Sequence, residues 1–461
     1  MTAQGGRERG ARNGRGLRSL YIDFDGFFAS VEKQCDPALA HRPVGVTPLD
    51  GPNAGLIALC YEARRRGVKP GMRKRDARAV CPDIAIVTAR PDIYVSAHHA
   101  ICRVIERHVP LRGVRSIDEA TADLLASEGE DAEGLATRIK RDLARTIGPL
   151  VTCSIGFGPN ELIAKIAAEL HKPDGLGVIE PNDLPEAILH LPLRAIPGIA
   201  KGIEGRLLRA GVHDVAELWA LAPKQARALW GSVEGERFHT LLHGGRAERP
   251  QTVRRMFGHS RVLPGDWRDA SHAYGCARLL TVKAARRMRR EGFYASALHY
   301  GIRVADRRVP YDPDRERDPW IGHEAVFEHA RDDRTFLHAL AALHERALAR
   351  ASYSHVGSVS VTLHGLHEGC PQQMELFGEP GMARNKDRWE RVADLCDRMH
   401  AARGPRFLSL GPRPIEPPGG YAGAKIAFGR IPDMEDFEVT PLPFATRIPI
   451  ADERTLHYAD F

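Results

Sequence analysis

Tyr21-Ile22-Asp23-Phe24-Asp25-Gly26-Phe27-Phe28-Ala29-Ser30-Val31-Glu32 carries the decisive pattern of this 461-residue chain. Period-two alternation sets Leu20, Ile22 and Phe24 on one face of a strand and Tyr21, Asp23 and Asp25 on the other. Two carboxylates therefore leave one strand end on the same side, and on alternation alone Asp23 and Asp25 are equal candidates for a site. From Phe27 the run Phe28, Ala29, Val31 suits the start of a helix, so a strand enters a helix here. A second acidic pair, Asp118-Glu119, follows Val114-Arg115-Ser116-Ile117. Strand alternation sends its two members to opposite faces, whereas a hairpin tip would bring both to one site. Carboxylates gathered at strand ends repel one another unless protonated or neutralised, and divalent cations with oxygen ligands are the usual remedy. Ordinary surface acids at strand ends are the competing reading of either pair alone.

Composition bounds what the rest can be. With 66 Lys or Arg against 59 Asp or Glu the formal charge is +7, and 43% hydrophobic residues exclude wholesale disorder and a collagen-like fibre. At roughly 150 residues per domain the length suggests about three domains. No stretch approaches the roughly 18 apolar residues of a membrane span, and the first residues lack the apolar core of a signal peptide, so a soluble, cytoplasmic protein is expected. The eight cysteines are scattered singly, without C-x-x-C or zinc spacing, and read as small buried hydrophobes. A pI near 9.0 permits a polyanionic partner such as nucleic acid.

Along the chain, residues 1–17 read as a disordered basic tail. Residues 55–90 form a small, basic, turn-rich piece with seven Arg or Lys between Arg64 and Arg75. The spacing predicts a helix near Leu135–Ile147 and a strand over Leu150–Ile155. Pro197-Gly198-Ile199 and Gly211-Val212, each before a short helix, resemble a helix-hairpin-helix turn. Residues 252–366 suit a separate α+β unit, with strands near Met256, Ala297 and Ser358, a basic helix over Ala277–Arg290 and a helix over Thr335–Ala349. Tyr61 and Arg64 stand three apart, on one helical face, where a phenol and a guanidinium can both reach a phosphate chain. Lys172 lies in the last turn of the helix that follows Ser154-Ile155-Gly156-Phe157-Gly158.

Taken in order, Asp23 to Glu32, Tyr61-Glu62-Ala63-Arg64, Ser116-Ile117-Asp118-Glu119-Ala120, and Ser154 to Gly158 with Ala164-Lys165-Ile166-Ala167 and Lys172-Pro173-Asp174-Gly175 resemble the Y-family DNA polymerases, the translesion enzymes. Within that family the likeness is to the bacterial type related to polymerase IV and the catalytic subunit of polymerase V. The resemblance implies an α+β right-handed polymerase: a ferredoxin-like palm (18–28 and 90–180), small fingers (29–89), a helical thumb (181–248), a little finger (252–366) and a C-terminal extension (367–461). It implies template-directed addition of dNTPs to primer-template DNA, with low-fidelity translesion synthesis in the SOS response and DNA repair. A catalytically silent scaffold that recruits a mutagenesis complex is the alternative, and its mark would be loss of the acids.

By the same resemblance Asp23, the backbone carbonyl of Phe24, Asp118 and Glu119 hold two Mg²⁺ ions, with Mn²⁺ as a substitute, and Asp23, Asp118 and Glu119 are catalytic. Asp25 is demoted to a structural role. Phe27 and Phe28 fall at nucleotide-binding positions, with Phe28 as the steric gate, and Tyr61, Arg64 and Lys172 match triphosphate-binding positions. Arg254, Arg255, Arg286, Arg287, Arg289 and Arg290 are expected to hold DNA phosphates. Gln373-Met374-Glu375-Leu376-Phe377 is similar to the pentapeptide that binds the bacterial β sliding clamp, with Gln373, Leu376 and Phe377 as anchors. A recombinase or mutagenesis accessory protein is a further expected partner, and the nucleoid the expected place of action.

Overall fold

The computed structural model describes residues 15–48, 54–248, 253–263, 267–304, 320–350, 355–369, 380–404 and 407–415. Those up to Glu248 and those from Val253 onward belong to two separate units. In chain order the first contains β1 (Ser19–Phe24), α1 (Phe27–Cys35), β2 (Val44–Thr47), β3 (Ala58–Leu59), α2 (Tyr61–Arg65), α3 (Lys74–Val80), β4 (Ala85–Thr88) and α4 (Pro91–Ile105). There follow β5 (Leu111–Ser116), β6 (Glu119–Asp123), α5 (Ala126–Glu130), α6 (Ala132–Thr146), β7 (Cys153–Gly158), α7 (Glu161–Leu170) and β8 (Leu176–Val178). Four short helices complete the unit: α8 (Lys201–Arg209), α9 (Val215–Trp219), α10 (Pro223–Trp230) and α11 (Glu234–Leu242).

Five strands lie in the order β5-β6-β1-β7-β8, so β1 is central and buried along its whole length. The β1-α4-β5-β6-α6-β7 succession with β5-β6-β1-β7 adjacency is the ferredoxin-like arrangement. Leu20, Ile22 and Phe24 pack on one face with Ile155 and Phe157. The other face carries Tyr21 and Asp23 opposite Gly156 and Ser154. Gly156 is required there, because a Cβ would stand 2.0 Å from the Ala164 carbonyl oxygen of α7. That close approach lays α7 directly on the sheet. A smaller sheet, β3-β2-β4, is inserted between β1 and α4. Gly26 makes the turn into α1 at φ 56°, where a Cβ would also meet the Leu59 carbonyl oxygen at 2.5 Å. The helices α8 to α11 share a core with Ile163 and Ile166 of α7, built from Leu193, Ile199, Leu207, Leu218 and Leu242.

The second unit comprises β9 (Met256–Val262), α12 (Ala270–Arg290), β10 (Phe293–Val304), β11 (Trp320–Ala330), α13 (Asp333–Arg350), β12 (Val356–Glu368) and α14 (Pro380–Arg403). Its antiparallel sheet runs β11-β10-β12-β9. Leu298, Tyr300, Ile302, Val359 and Val361 face Ala277, Ala284, Met288, Phe336 and Leu340 in one core.

Several expectations shift. The strand placed at Leu150–Ile155 begins at Cys153, after Gly148 at φ 131° and Pro149. The basic helix starts at Ala270, where the Asp269 side chain accepts from the His272 N–H. Strand β11 was not foreseen, because His323 and His329 interrupt the apolar set at its alternate positions. The tail expected to be disordered through 17 is packed at its inner end: Leu17 is buried and Arg15 pairs with Glu133 and Glu180 at 2.7 Å. Residues 1–14 lie outside the described residues. All described cysteines except Cys35 are buried, and among the described residues none forms a disulfide. No helix among the described residues is long and apolar enough to cross a membrane.

Candidate active site

The two acidic segments meet because β6 lies beside β1 in a register that sets Asp23 opposite Glu119. Strands β5 and β6 are joined through Ile117-Asp118, so Asp118 sits at a hairpin tip rather than within a strand. The tip is tied to β1 by Phe24 N–H donating to the Asp118 carbonyl at 2.9 Å. The alternative left open by alternation is thus resolved, and Asp118 and Glu119 arrive at the same end of the sheet as Asp23. Ser116 Oγ donates to Asp118 Oδ1 at 2.5 Å and stands 3.3 Å from Glu119 Oε2. A register shift between Val114 and Ser116 makes room for that turn.

Two lysines face the acids. Lys172 Nζ lies 2.7 Å from Asp23 Oδ1 and 2.7 Å from Glu169 Oε1. Lys165 Nζ, from α7, lies 2.5 Å from Glu119 Oε1 and 3.0 Å from the Tyr21 hydroxyl. Burial pushes the Asp23 carboxyl up to about 8 even against the pull of Lys172. It also pushes Asp118 up, with Ser116 opposing. Burial acts on Glu119 too, but the Lys165 charge and hydrogen bond outweigh it and hold this carboxyl below its ordinary value. Burial opposes the charge on Lys172, and Asp23 and Glu169 more than compensate. Asp25 is consumed otherwise: its carboxylate accepts from Ser154 Oγ at 3.0 Å, Thr152 Oγ1 at 3.1 Å and Asp174 N–H at 2.8 Å. Among the described residues no three His, Cys, Asp or Glu side chains form a ready-made ion cage, since Asp23 and Glu119 are turned toward lysines.

In α1, Phe28 is buried and stacked on Tyr94 of α4, with ring centroids 4.4 Å apart and planes 13° from parallel. Phe27 is buried edge-on against Phe24. Tyr94 is held by its hydroxyl donating to Glu32 Oε1 at 2.7 Å, and Arg90 pairs with the same buried carboxylate. Tyr61 is half-buried, with the exposed Arg64 guanidinium 4.9 Å from its ring centroid. Burial and the Asp25 charge raise the Tyr61 phenol while Lys172 opposes, so Tyr61 lies within electrostatic reach of both. Sequence reasoning assigned no role to Lys165, Ser116 or Tyr94. Lys165 and Ser116 lie inside the quoted motifs, which was the available signal.

In the second unit the arginine cluster is corrected. Four guanidiniums within two turns of α12 cannot all face solvent, because the helix packs on the sheet and on its neighbours. Arg289 is buried, bonded to Asp333 Oδ1 at 2.7 Å, to both oxygens of Asp397 and to the Arg331 carbonyl. Arg287 is buried and donates to His259 Nε2 at 3.1 Å. Arg286 meets His400 of α14, and Arg254 pairs with Glu291 at 2.8 Å. Arg255 and Arg290 are exposed. The expected clamp peptide, Gln373 to Phe377, lies outside the described residues.

The impB/mucB/samB family profile matches residues 22–169, and that of the family's C-terminal domain matches 254–376. DNA polymerase IV of Moorella thermoacetica is 31% identical over 398 residues, covering 84% of this chain and 94% of that protein. DNA polymerase IV of Pelotomaculum thermopropionicum is 30% identical over 410 residues, covering 85% and 95%. Among solved structures, a Y-family chimaera of Dbh and Dpo4 superposes with a TM-score of 0.64 at 24% identity, over 76% of this chain and all of that one. A Dbh insertion ternary complex gives 0.51 at 24% identity over the same shares. Fold and sequence kinship together define a DNA-directed DNA polymerase built on a ferredoxin-like palm. Within that class the chain belongs to the Y family, among the polymerases related to polymerase IV.

Proposed function

We propose that this chain adds deoxynucleoside monophosphates to a primer 3′-hydroxyl under template direction with two divalent ions, and serves low-fidelity synthesis across damaged template in DNA repair. One observation carries the reading: Asp23, Asp118 and Glu119 meet at one end of one sheet, with Lys172 paired to Asp23 and Lys165 to Glu119. The donor chemistry fits hard cations, since these are carboxylate oxygens whose burial penalty at Asp23 and Asp118 single lysine charges leave unrelieved. Asp23, the Phe24 carbonyl, Asp118 and Glu119 would hold Mg²⁺, or Mn²⁺ in its place, which would supply activation of the primer hydroxyl and charge stabilisation at the phosphates.

The protein's own part is placement. Ser116 orients Asp118 and Lys165 orients Glu119, so the primer hydroxyl meets fixed oxygens. Tyr61, Arg64 and Lys172 bind the triphosphate, and Lys172 exchanges Asp23 for phosphate oxygens as the nucleotide enters. The bond from the 3′-oxygen to the α-phosphorus forms as the α–β anhydride breaks and pyrophosphate leaves. Phe28, stiffened by Tyr94, excludes a 2′-hydroxyl. Of the arginines, Arg254, Arg255, Arg286 and Arg290 remain as phosphate contacts. Gln373, Leu376 and Phe377 recruit the sliding clamp, and a recombinase or mutagenesis accessory protein joins the complex at the nucleoid.

The scaffold reading is disfavoured because all three acids are retained. Primer extension with Mg²⁺ and dNTPs on undamaged and abasic templates, comparing wild type with Asp118→Ala, tests the proposal. Extension of both templates by the wild type alone is expected. Extension by neither, with DNA binding intact, would return the scaffold reading.

A further inference from the structure

His98 lies on α4 and is buried, 3% exposed, beneath the hairpin that carries Asp118. Its Nδ1 stands 2.8 Å from the carbonyl oxygen of Ile117, the residue preceding Asp118 at the tip. Its Nε2 stands 3.4 Å from Cys102 Sγ, one helical turn further along α4. A carbonyl only accepts, so Nδ1 must carry the proton, and Nε2 is left as an acceptor for the Cys102 thiol. Burial keeps both groups in the states this chain of bonds needs: it lowers His98 to about 3, hence neutral, and raises the Cys102 thiol to about 12, hence protonated. Only one tautomer satisfies both neighbours, and it aims a fixed donor at the hairpin tip.

The tip is also tied by Phe24 N–H to the Asp118 carbonyl, by Ser116 Oγ to the Asp118 carboxylate and by Asp118 N–H to Ser116 Oγ at 3.4 Å. These act from β1 or from the hairpin itself. Of these four bonds, that of His98 comes from the helical layer. The side chain of Ile117 is itself buried, so the tip is held from below at both its side chain and its carbonyl.

We propose that His98 is a positioning residue, which through the Ile117 carbonyl sets where Asp118 stands against β1. The inference rests on the reading of Asp118 as catalytic. A displacement of about 1 Å at such a group costs on the order of a hundredfold in rate.

The test compares His98→Asn, His98→Gln and His98→Leu with wild type and Asp118→Ala, by steady-state primer extension, thermal melting and hydrogen exchange at Phe24. An Asn amide nitrogen can stand where Nδ1 stands, whereas a Gln amide reaches toward the Nε2 position and Leu has no donor. We expect kcat to fall about tenfold or more in the Gln and Leu variants and to recover to within about threefold of wild type in the Asn variant, with KM for dNTP unchanged throughout. Exchange at the Phe24 amide, whose acceptor is the tip, should accelerate in the Leu and Gln variants in the absence of substrate and metal. Equal kcat for Asn and Gln, or wild-type kcat in folded His98→Leu while Asp118→Ala is inactive, would overturn the assignment of His98 alone. Full activity in Asp118→Ala would overturn the underlying reading of the hairpin instead. Should His98→Leu fail to fold, the comparison of Asn with Gln still decides, because both are polar and differ in where the donor sits.

Discussion

Arg289→Met separates a structural arginine from a DNA-binding one. The Arg289 side chain is 2% exposed and its guanidinium serves Asp333, which is 6% exposed, and Asp397, which is 23% exposed. Removing it leaves the Asp333 carboxylate buried without its cation, and breaking a buried pair in this way costs about 3–5 kcal/mol. Asp397 can turn to water and adds little. For a unit of about 180 residues this lowers the melting temperature by about 6–20 °C. Burial already raises the Asp333 carboxyl with Arg289 present, and losing the cation raises it further. The folded variant then binds a proton that the unfolded chain releases, so its deficit relative to wild type shrinks as pH falls toward about 4. Adding Asp333→Asn should recover part of the loss by removing the buried charge. The assay is thermal unfolding of the full chain, paired with DNA affinity measured across salt concentrations. A lost phosphate contact would flatten the slope of log K against log salt by about 0.9, whereas a buried structural arginine leaves it unchanged. A flattened slope with an unaltered melting temperature would refute the reasoning and return Arg289 to the DNA surface.

Phe28→Ala should admit ribonucleotides, read as a rise of at least about tenfold in rNTP relative to dNTP incorporation; unchanged sugar discrimination would remove the gate. Tyr94→Leu should relax discrimination in the same direction but less, since it removes the ring stacked on Phe28 and leaves Phe28 itself. Lys165→Met frees the Glu119 carboxylate from its partner and should lower kcat about tenfold with KM for dNTP little changed; a change in KM alone would place Lys165 on the nucleotide. Deleting Gln373 to Phe377 should abolish stimulation by the β clamp and spare basal extension, and equal stimulation afterwards would leave the peptide as linker.

Local sequence determined the elements that carry the chemistry. The alternation in β1 put Tyr21 and Asp23 on one face, and helical spacing set Tyr61 beside Arg64, because both patterns follow from the backbone repeat alone. It could not rank Asp23 against Asp25, since that depends on Ser154, Thr152 and Asp174, which are more than a hundred residues away in sequence. Nor could it decide whether Asp118 and Glu119 share a site, because the answer lies in a two-residue hairpin tip held by β1 and by His98 of α4. The arginines of α12 show the same limit with the opposite result. A run of basic residues reads as a solvent-facing cluster, but whether a guanidinium meets a phosphate or a carboxylate depends on what packs above the helix. Asp333 and Asp397 arrive there from α13 and α14, so burial and pairing at Arg289 were settled by tertiary packing, where a charge taken out of water must find its counter-charge within the fold.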